Sequence, residues 1–255
     1  MHLKLIIITV AISFALIFVT GYIWQLAKDA GYFKIADVAV IGNDKADLAY
    51  LKGKNIFSVD LRNESRFILE SHPEFSKVRL VKVLPNRILV YFISRKPLAL
   101  VKLYKYFAVD EQGFLFNFPN QPQESGLPEI VGLETKIFGP KSGVKYSIKE
   151  LILALNIIKE AKKNKLSEEY KIKKIEVANA ASASIYFVLP SSSANNLESK
   201  KNPDTGYLEI KIGQEDLNNK IVILAGLMKQ ARKSLFNIKY IDLRFKEPVI
   251  KFQDN

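Results

Sequence analysis

Cysteine is absent from the 255 residues, and histidine occurs only at His2 and His72. Without thiols there is no disulfide framework, no thiolate metal site and no cysteine nucleophile. His2 sits at the extreme amino terminus and His72 beside a helix-ending Pro73, so the two do not assemble the ligands of a zinc centre. A serine nucleophile would need lysine as its base. Ser142 between Lys141 and Lys145 offers that pairing, but within Gly139-Pro140-Lys141-Ser142-Gly143 it reads as a turn residue. Phosphate loops are missing too: Gly53-Lys54-Asn55 lacks both the hydroxyl residue after Lys and a Gly five positions earlier, and the Gly139 stretch fails the same test. No catalytic residue, metal ligand or cofactor site is expected.

Arginine is absent between Lys141 and Lys174, a window with ten lysines against four glutamates. Only two aromatic residues, Tyr146 and Tyr170, stand among those lysines, too few for a run of base-stacking platforms, which argues against nucleic acid as a partner. A solvated face is the plain reading, with anionic headgroups or acidic partners as the alternatives for a chain of net charge +12. The length accommodates one membrane anchor and one or two domains with their own cores.

Charge is missing altogether from Leu5 to Leu26, LIIITVAISFALIFVTGYIWQL. As a helix this run spans about 33 Å, enough to cross a bilayer. Tyr22 and Trp24 stand where an aromatic belt meets the headgroups. The run is longer than the apolar stretch of a signal peptide, and no clean small-x-small cleavage site follows it. A buried core helix would be apolar on one stripe, whereas here every face is apolar. Lys4 and the terminal amine precede the span while Lys28 and Asp29 cancel after it, so the amino terminus is expected in the cytoplasm and the bulk of the chain outside it.

Beyond residues 1–32, FKIADVAVIGN alternates as a strand and turns at Gly42-Asn43. ADLAYLKGKNIFSVDLRNESRFILESHP predicts two short helices, the first interrupted by Gly53 and the second stopped before Pro73. VRLVKVLPNRILVYFI supplies two strands around Leu84-Pro85-Asn86, with Ile88, Val90 and Phe92 on one face. The order over residues 33–96 is β-α-α-β-β.

The motifs Val38-x-Val40-x-Gly42-Asn43, Asn55-Ile56-Phe57-x-Val59-Asp60, His72-Pro73, Leu84-Pro85-Asn86 and Arg95-Lys96-Pro97 follow one another directly after the anchor. In that order and spacing the segment resembles a POTRA domain, and the chain resembles the FtsQ/DivIB family of bacterial cell-division proteins. Ser94 departs from the acidic residue the family usually places before Arg-Lys-Pro, which leaves a salt bridge at that corner without its usual acid.

Residues 97–255 read as a second mixed β-sheet domain with two packed helices, making the whole chain α+β. Strands flank Asp110-Glu111-Gln112-Gly113, a turn in which Gly113 takes positive φ, and LPEIVG at 127–132 is similar to a family pattern. Ser147 and Glu150 form a capping box for a helix whose buried stripe is Leu151, Ile152, Leu155 and Ile158. Strands are expected at Ile172–Val177, Ala183–Leu189 and Tyr207–Ile212, with a mobile polar loop at 190–206. A second helix carries Leu217, Ile221, Leu224, Met228 and Leu235 against the sheet. In the final strand Ile241, Leu243 and Phe245 share the core face, opposite Tyr240, Asp242 and Arg244.

The FtsQ/DivIB resemblance implies a non-enzymatic divisome scaffold at the septum, held in the inner membrane by one helix. It also implies partners of the FtsB/FtsL kind and a role in coordinating septal peptidoglycan synthesis, with no nucleic acid and no small-molecule substrate. By that resemblance the partner-binding surface is Tyr240, Asp242, Arg244 and Phe245, with Val249, Ile250 and Phe252 beyond Pro248. A sheet edge suits the task because a partner segment can pair with its free main-chain groups, and Pro248 suits an edge strand. Two other classes fit less well: a POTRA-bearing component of protein export or outer-membrane assembly, for which the chain leaves no room for a barrel, and a membrane-anchored cell-wall enzyme.

Overall fold

The computed structural model describes residues 2–29, 31–42, 46–118, 125–189, 206–232 and 234–253. They fall into two compact units, Met1–Ser94 and Arg95–Asn255. Asn43 of the expected Gly42-Asn43 turn, and all but Gly206 of the loop expected at 190–206, lie outside the described residues.

The first unit opens with α1 (His2–Asp29), whose apolar window Ile6–Leu26 is long enough to cross a membrane and is nowhere buried by the rest of the chain. In hydrocarbon every polar group needs an internal partner. The Thr9, Ser13 and Thr20 hydroxyls find one by donating to the carbonyls of Ile6, Thr9 and Leu16 at 2.9, 2.9 and 2.8 Å. A 3-10 turn at Gly31–Phe33 leads into β1 (Asp37–Ile41), followed by α2 (Leu61–Ser71), β2 (Phe75–Val83) and β3 (Arg87–Ser94). β3 lies between the other two strands, parallel to β1 and antiparallel to β2.

Of the two helices expected between β1 and β2, only α2 forms. Asp60 starts it by accepting the N–H groups of Arg62 and Asn63 at 3.0 and 3.3 Å. The other is a 3-10 turn at Ala49–Leu51, because Gly53 at φ +80° redirects the chain before a second turn can close. Leu48 and Leu51 are nevertheless buried with Ile56, Ile68, Ile88 and Val90 in this unit's core.

The second unit is built on β4 (Ala99–Lys102), β5 (Tyr106–Val109), β6 (Leu115–Asn117) and β7 (Glu129–Val131), then α3 (Lys149–Lys163) and α4 (Leu166–Glu169). It continues with β8 (Ile172–Asn179), β9 (Ser182–Val188), β10 (Tyr207–Gly213), α5 (Leu217–Gln230), β11 (Ile238–Asp242) and β12 (Val249–Phe252). All strands join one sheet in the order β12-β11-β10-β9-β8-β7-β4-β5-β6. Three pairs are parallel, β4/β7, β7/β8 and β10/β11, and in the last two the crossover is supplied by α3 and α5. The two helices touch each other, α3 also meets β8, and α5 meets β10, so one sheet face carries the main core.

Gly113 has φ +88°, and a Cβ there would stand 2.8 Å from the Tyr146 carbonyl oxygen, so glycine is required in the Asp110–Gly113 turn. The corner left without an acid at Ser94 is closed by another residue: Arg95 bonds Asp110 at 2.7 Å with both side chains nearly buried. Asp110 also accepts the N–H groups of Gln112 and Phe114 at 2.9 and 3.0 Å, and the Arg95 guanidinium lies 4.1 Å from the centre of the Phe114 ring.

Three local expectations give way to tertiary packing. The capping box is not made: Ile148 is the N-cap of α3, without a side-chain cap bond, and Glu150 turns to Lys136 at 3.6 Å. The buried face of α3 takes in Leu153 and Ile157 and leaves Ile152 exposed, because α3 is wedged against α4, α5 and the sheet. Leu235 is buried but belongs to a 3-10 turn after α5, whose own buried residues are Ile221, Leu224 and Met228. Ser142 serves the fold, its hydroxyl accepting the Asn117 N–H at 3.1 Å.

Candidate functional site

The carboxyl-terminal hairpin carries all seven predicted site residues. β11 runs inside the sheet, parallel to β10 and antiparallel to β12, so Tyr240 and Asp242 have strands on both sides. β12 ends the sheet, and among the described residues nothing pairs with its outer edge. The Leu243 N–H donates to the Lys211 carbonyl at 2.7 Å and the Gln253 N–H to the Asn237 carbonyl at 2.8 Å. Main-chain groups alternate sides along an antiparallel strand, so Val249, Lys251 and Gln253 face β11 while Ile250 and Phe252 turn their N–H and C=O groups outward.

Side chains along the hairpin divide between the two sheet faces. Ile250 pairs with Ile241 and packs on the main core, whereas Val249 lies opposite Asp242 on the other face. Val249 and Phe252 are about half exposed, at 47% and 55%. Together they give the open edge an apolar flank.

β11 stops at Asp242, and the chain is turned there by an ion pair. The Asp242 carboxylate accepts the Arg244 N–H at 3.0 Å, its Nε at 3.0 Å and its Nη2 at 2.6 Å. The Arg244 hydrogen bonds hold the Asp242 carboxyl below its usual range, outweighing the burial that pushes the other way. Asp242 is almost wholly buried while Arg244 remains accessible. The carboxylate therefore positions the guanidinium, and Arg244 is the member of the pair a partner could reach. Phe245 was expected on the core face with Ile241 and Leu243 but is 60% exposed, because this turn ends the alternation before it.

Two shallow concavities adjoin the hairpin. One, of about 320 Å³, lies on the polar sheet face and joins Arg244 to Glu176, Ser184, Tyr186, Glu209 and Lys211. There Ser184 donates to Glu209 at 2.8 Å, and the Lys174 and Lys211 ammonium groups each sit 4.3 Å from a tyrosine ring centre, of Tyr186 and Tyr240. The other, of about 310 Å³, places Phe245 and Pro248 beside Ile223 and Lys220 of α5. Tyr186, Glu209, Lys211 and Ile223 were not singled out in sequence. Alternation marks the first three as outward residues of their strands, but the strand order that brings them to Tyr240 and Arg244 has no local signature.

The chain thus combines an apolar amino-terminal helix long enough to cross a bilayer with α+β sheet domains. Residues 99–244, more than half of the chain, match the family model described as cell division protein FtsQ/DivIB, C-terminal. The chain belongs to the FtsQ/DivIB family and is a protein of bacterial cell division. It is similar to the cell division protein FtsQ of Syntrophotalea carbinolica, 21% identical over 233 residues, covering 89% of this chain and 76% of that protein. Similarity to the cell division protein FtsQ of Geotalea daltonii is 22% over 239 residues, covering 90% and 80%.

Proposed function

We propose that this protein is a non-enzymatic divisome scaffold that receives an FtsB/FtsL-like partner by strand addition to β12, and so helps coordinate septal peptidoglycan synthesis. The observation that carries this reading is the outer edge of β12, unpaired among the described residues, with the main-chain groups of Ile250 and Phe252 facing outward. Buried sheet edges are normally paired or covered, and an open one with apolar flanks is a template for an incoming strand. Tyr240, Arg244, Phe245, Val249 and Phe252 would select the partner's side chains, with Asp242 holding Arg244. Membership of the FtsQ/DivIB family supports the partner class. The first unit, whose β-strand and helix order resembles a POTRA domain, would be a second docking or positioning element outside the cytoplasm.

The test is capture of the partner's soluble segment by the membrane-anchored chain, with and without residues 248–255. Retention by the intact chain and loss on deletion of β12 support the reading. Equal capture by both contradicts it, as does failure of a fluorescent fusion to gather at mid-cell for the septal role.

A further inference from the structure

We propose that Tyr32, Phe33, Phe57 and the lysines beside them form a foot by which the first unit rests on the headgroup layer of the bilayer that α1 crosses. This surface belongs to the first unit and is independent of the β12 edge. Trp24 lies two residues before the end of the apolar window at Leu26, the depth at which an indole favours the membrane interface. Its ring centre is 5.5 Å from that of Phe57, which is 5.1 Å from Phe33, which in turn is 5.3 Å from Tyr32. A ring in contact with an interfacial tryptophan shares its depth to within the width of a side chain.

Main-chain bonds make this placement more than a side-chain encounter. The Ile56 N–H donates to the Phe33 carbonyl, the Ile35 N–H to that of Lys54 and the Gly53 N–H to that of Ile35, each at 2.9 Å. The segment leaving the membrane and the loop at 53–57 are thus one hydrogen-bonded piece. Between Leu26 and Phe33 the chain extends at most ~25 Å, and helix continues through Asp29, which shortens that reach.

The chemistry of the foot fits an anionic lipid surface. Tyr32 is 67% exposed, giving an amphipathic ring with one wet end. Lys34 and Lys52 are exposed with no carboxylate partner among the described residues, while Lys54 shares Glu64 at 3.8 Å. Interfacial aromatics with lysines around them are the combination that binds headgroups, the rings by partial burial and the ammonium groups by attraction.

The absence of native cysteine allows single labels in the full-length chain. Ser58→Cys places a fluorophore next to Phe57, and Ser71→Cys places one at the far end of α2, ~16 Å along the helix. The chain is reconstituted in vesicles of phosphatidylglycerol and phosphatidylcholine containing a lipid with a headgroup nitroxide. The Ser58 label should be quenched well above the Ser71 label, and less so in vesicles of phosphatidylcholine alone or at high salt. Each lysine near an anionic surface is worth about five-fold, so Tyr32→Ser with Lys34→Glu and Lys52→Glu should shift the docked-to-undocked ratio by at least ~25-fold. The salt and lipid series tests the same point without substitution, should the variant fold poorly. Equal quenching at the two positions, or quenching at 58 that neither salt nor lipid charge reduces, overturns the proposal. So does a label at 58 shielded only when a second membrane protein is added, which would make the occupant a protein.

Discussion

Replacing Ile250 by proline separates the open edge of β12 from the ladder that holds it in place. Ile250 and Phe252 each present one N–H and one C=O outward, and an added strand would use these groups for bonds of net worth about 0.5–1.5 kcal/mol apiece. Proline deletes the Ile250 donor, and its ring crowds the approaching strand. The loss should be about 1–2 kcal/mol, or a Kd weakened about five- to thirty-fold. The inward bonds to β11 are made by Val249 and Lys251, so the fold should survive the change. Titration of the partner's soluble segment into the full-length chain, read by calorimetry beside a thermal melt, measures both effects. Ile250→Ala keeps the N–H and should bind nearly as the parent does, which separates main chain from side chain. Lys251→Pro removes an inward ladder bond and should lower Tm. Parent-like affinity for Ile250→Pro, or a fall in its Tm matching that of Lys251→Pro, would refute the edge-pairing argument.

The Asp242 carboxyl has its folded pKa below the ordinary value, so its contribution is complete above the unfolded pKa of ~3.9 and is lost as pH falls through the lower folded value. Thermal melts from neutral pH downward should show the parent losing stability in that acid range. Asp242→Asn should start lower at neutral pH by about 1–3 kcal/mol and show a flatter acid dependence; equal slopes would contradict the assignment. Gly113→Ala should destabilise by at least about 1–2 kcal/mol in a denaturant titration, since positive φ alone costs that much before the clash with Tyr146. Leu155→Ala should cost about 2–5 kcal/mol and Ile152→Ala less than about 0.5 kcal/mol, a contrast that equal midpoints in urea would negate.

Strands with strict alternation were legible because their period is a local property: Leu208, Ile210 and Ile212 point to the core and Glu209 and Lys211 away from it. The anchor was legible for the same reason, since an uninterrupted apolar run needs no tertiary context. Helix details were not. Ile152 and Leu153 are equally apolar, and only the presence of α4 and α5 beside α3 decides which is buried. Glu150 was available to a cap or to Lys136, and the choice depends on a residue far back along the chain. The Arg95–Asp110 pair shows the same limit from the other side, because the missing acid at position 94 said nothing about the one fifteen residues beyond Arg95.

At the hairpin, the outward face of β11 could be read from alternation, but its end could not. The Asp242–Arg244 ion pair turns the chain, buries the carboxylate and throws Phe245 outward, reversing what a continued strand would do with all three. Nor does any local pattern reveal that β12 is the last strand of the sheet, or that the polar faces of β10 and β9 follow that of β11 on its other side. Those are consequences of the two crossovers, which only the assembled sheet discloses.

Amide hydrogen exchange along residues 249–253, with and without the partner's soluble segment, tests the docking mechanism most directly. Strand addition predicts that the amides of Ile250 and Phe252, turned toward solvent in the free protein, slow markedly on binding, while that of Lys251, already facing β11, changes little. Uniform protection along the hairpin, or none at Ile250 and Phe252, would mean that the partner binds elsewhere or through side chains alone.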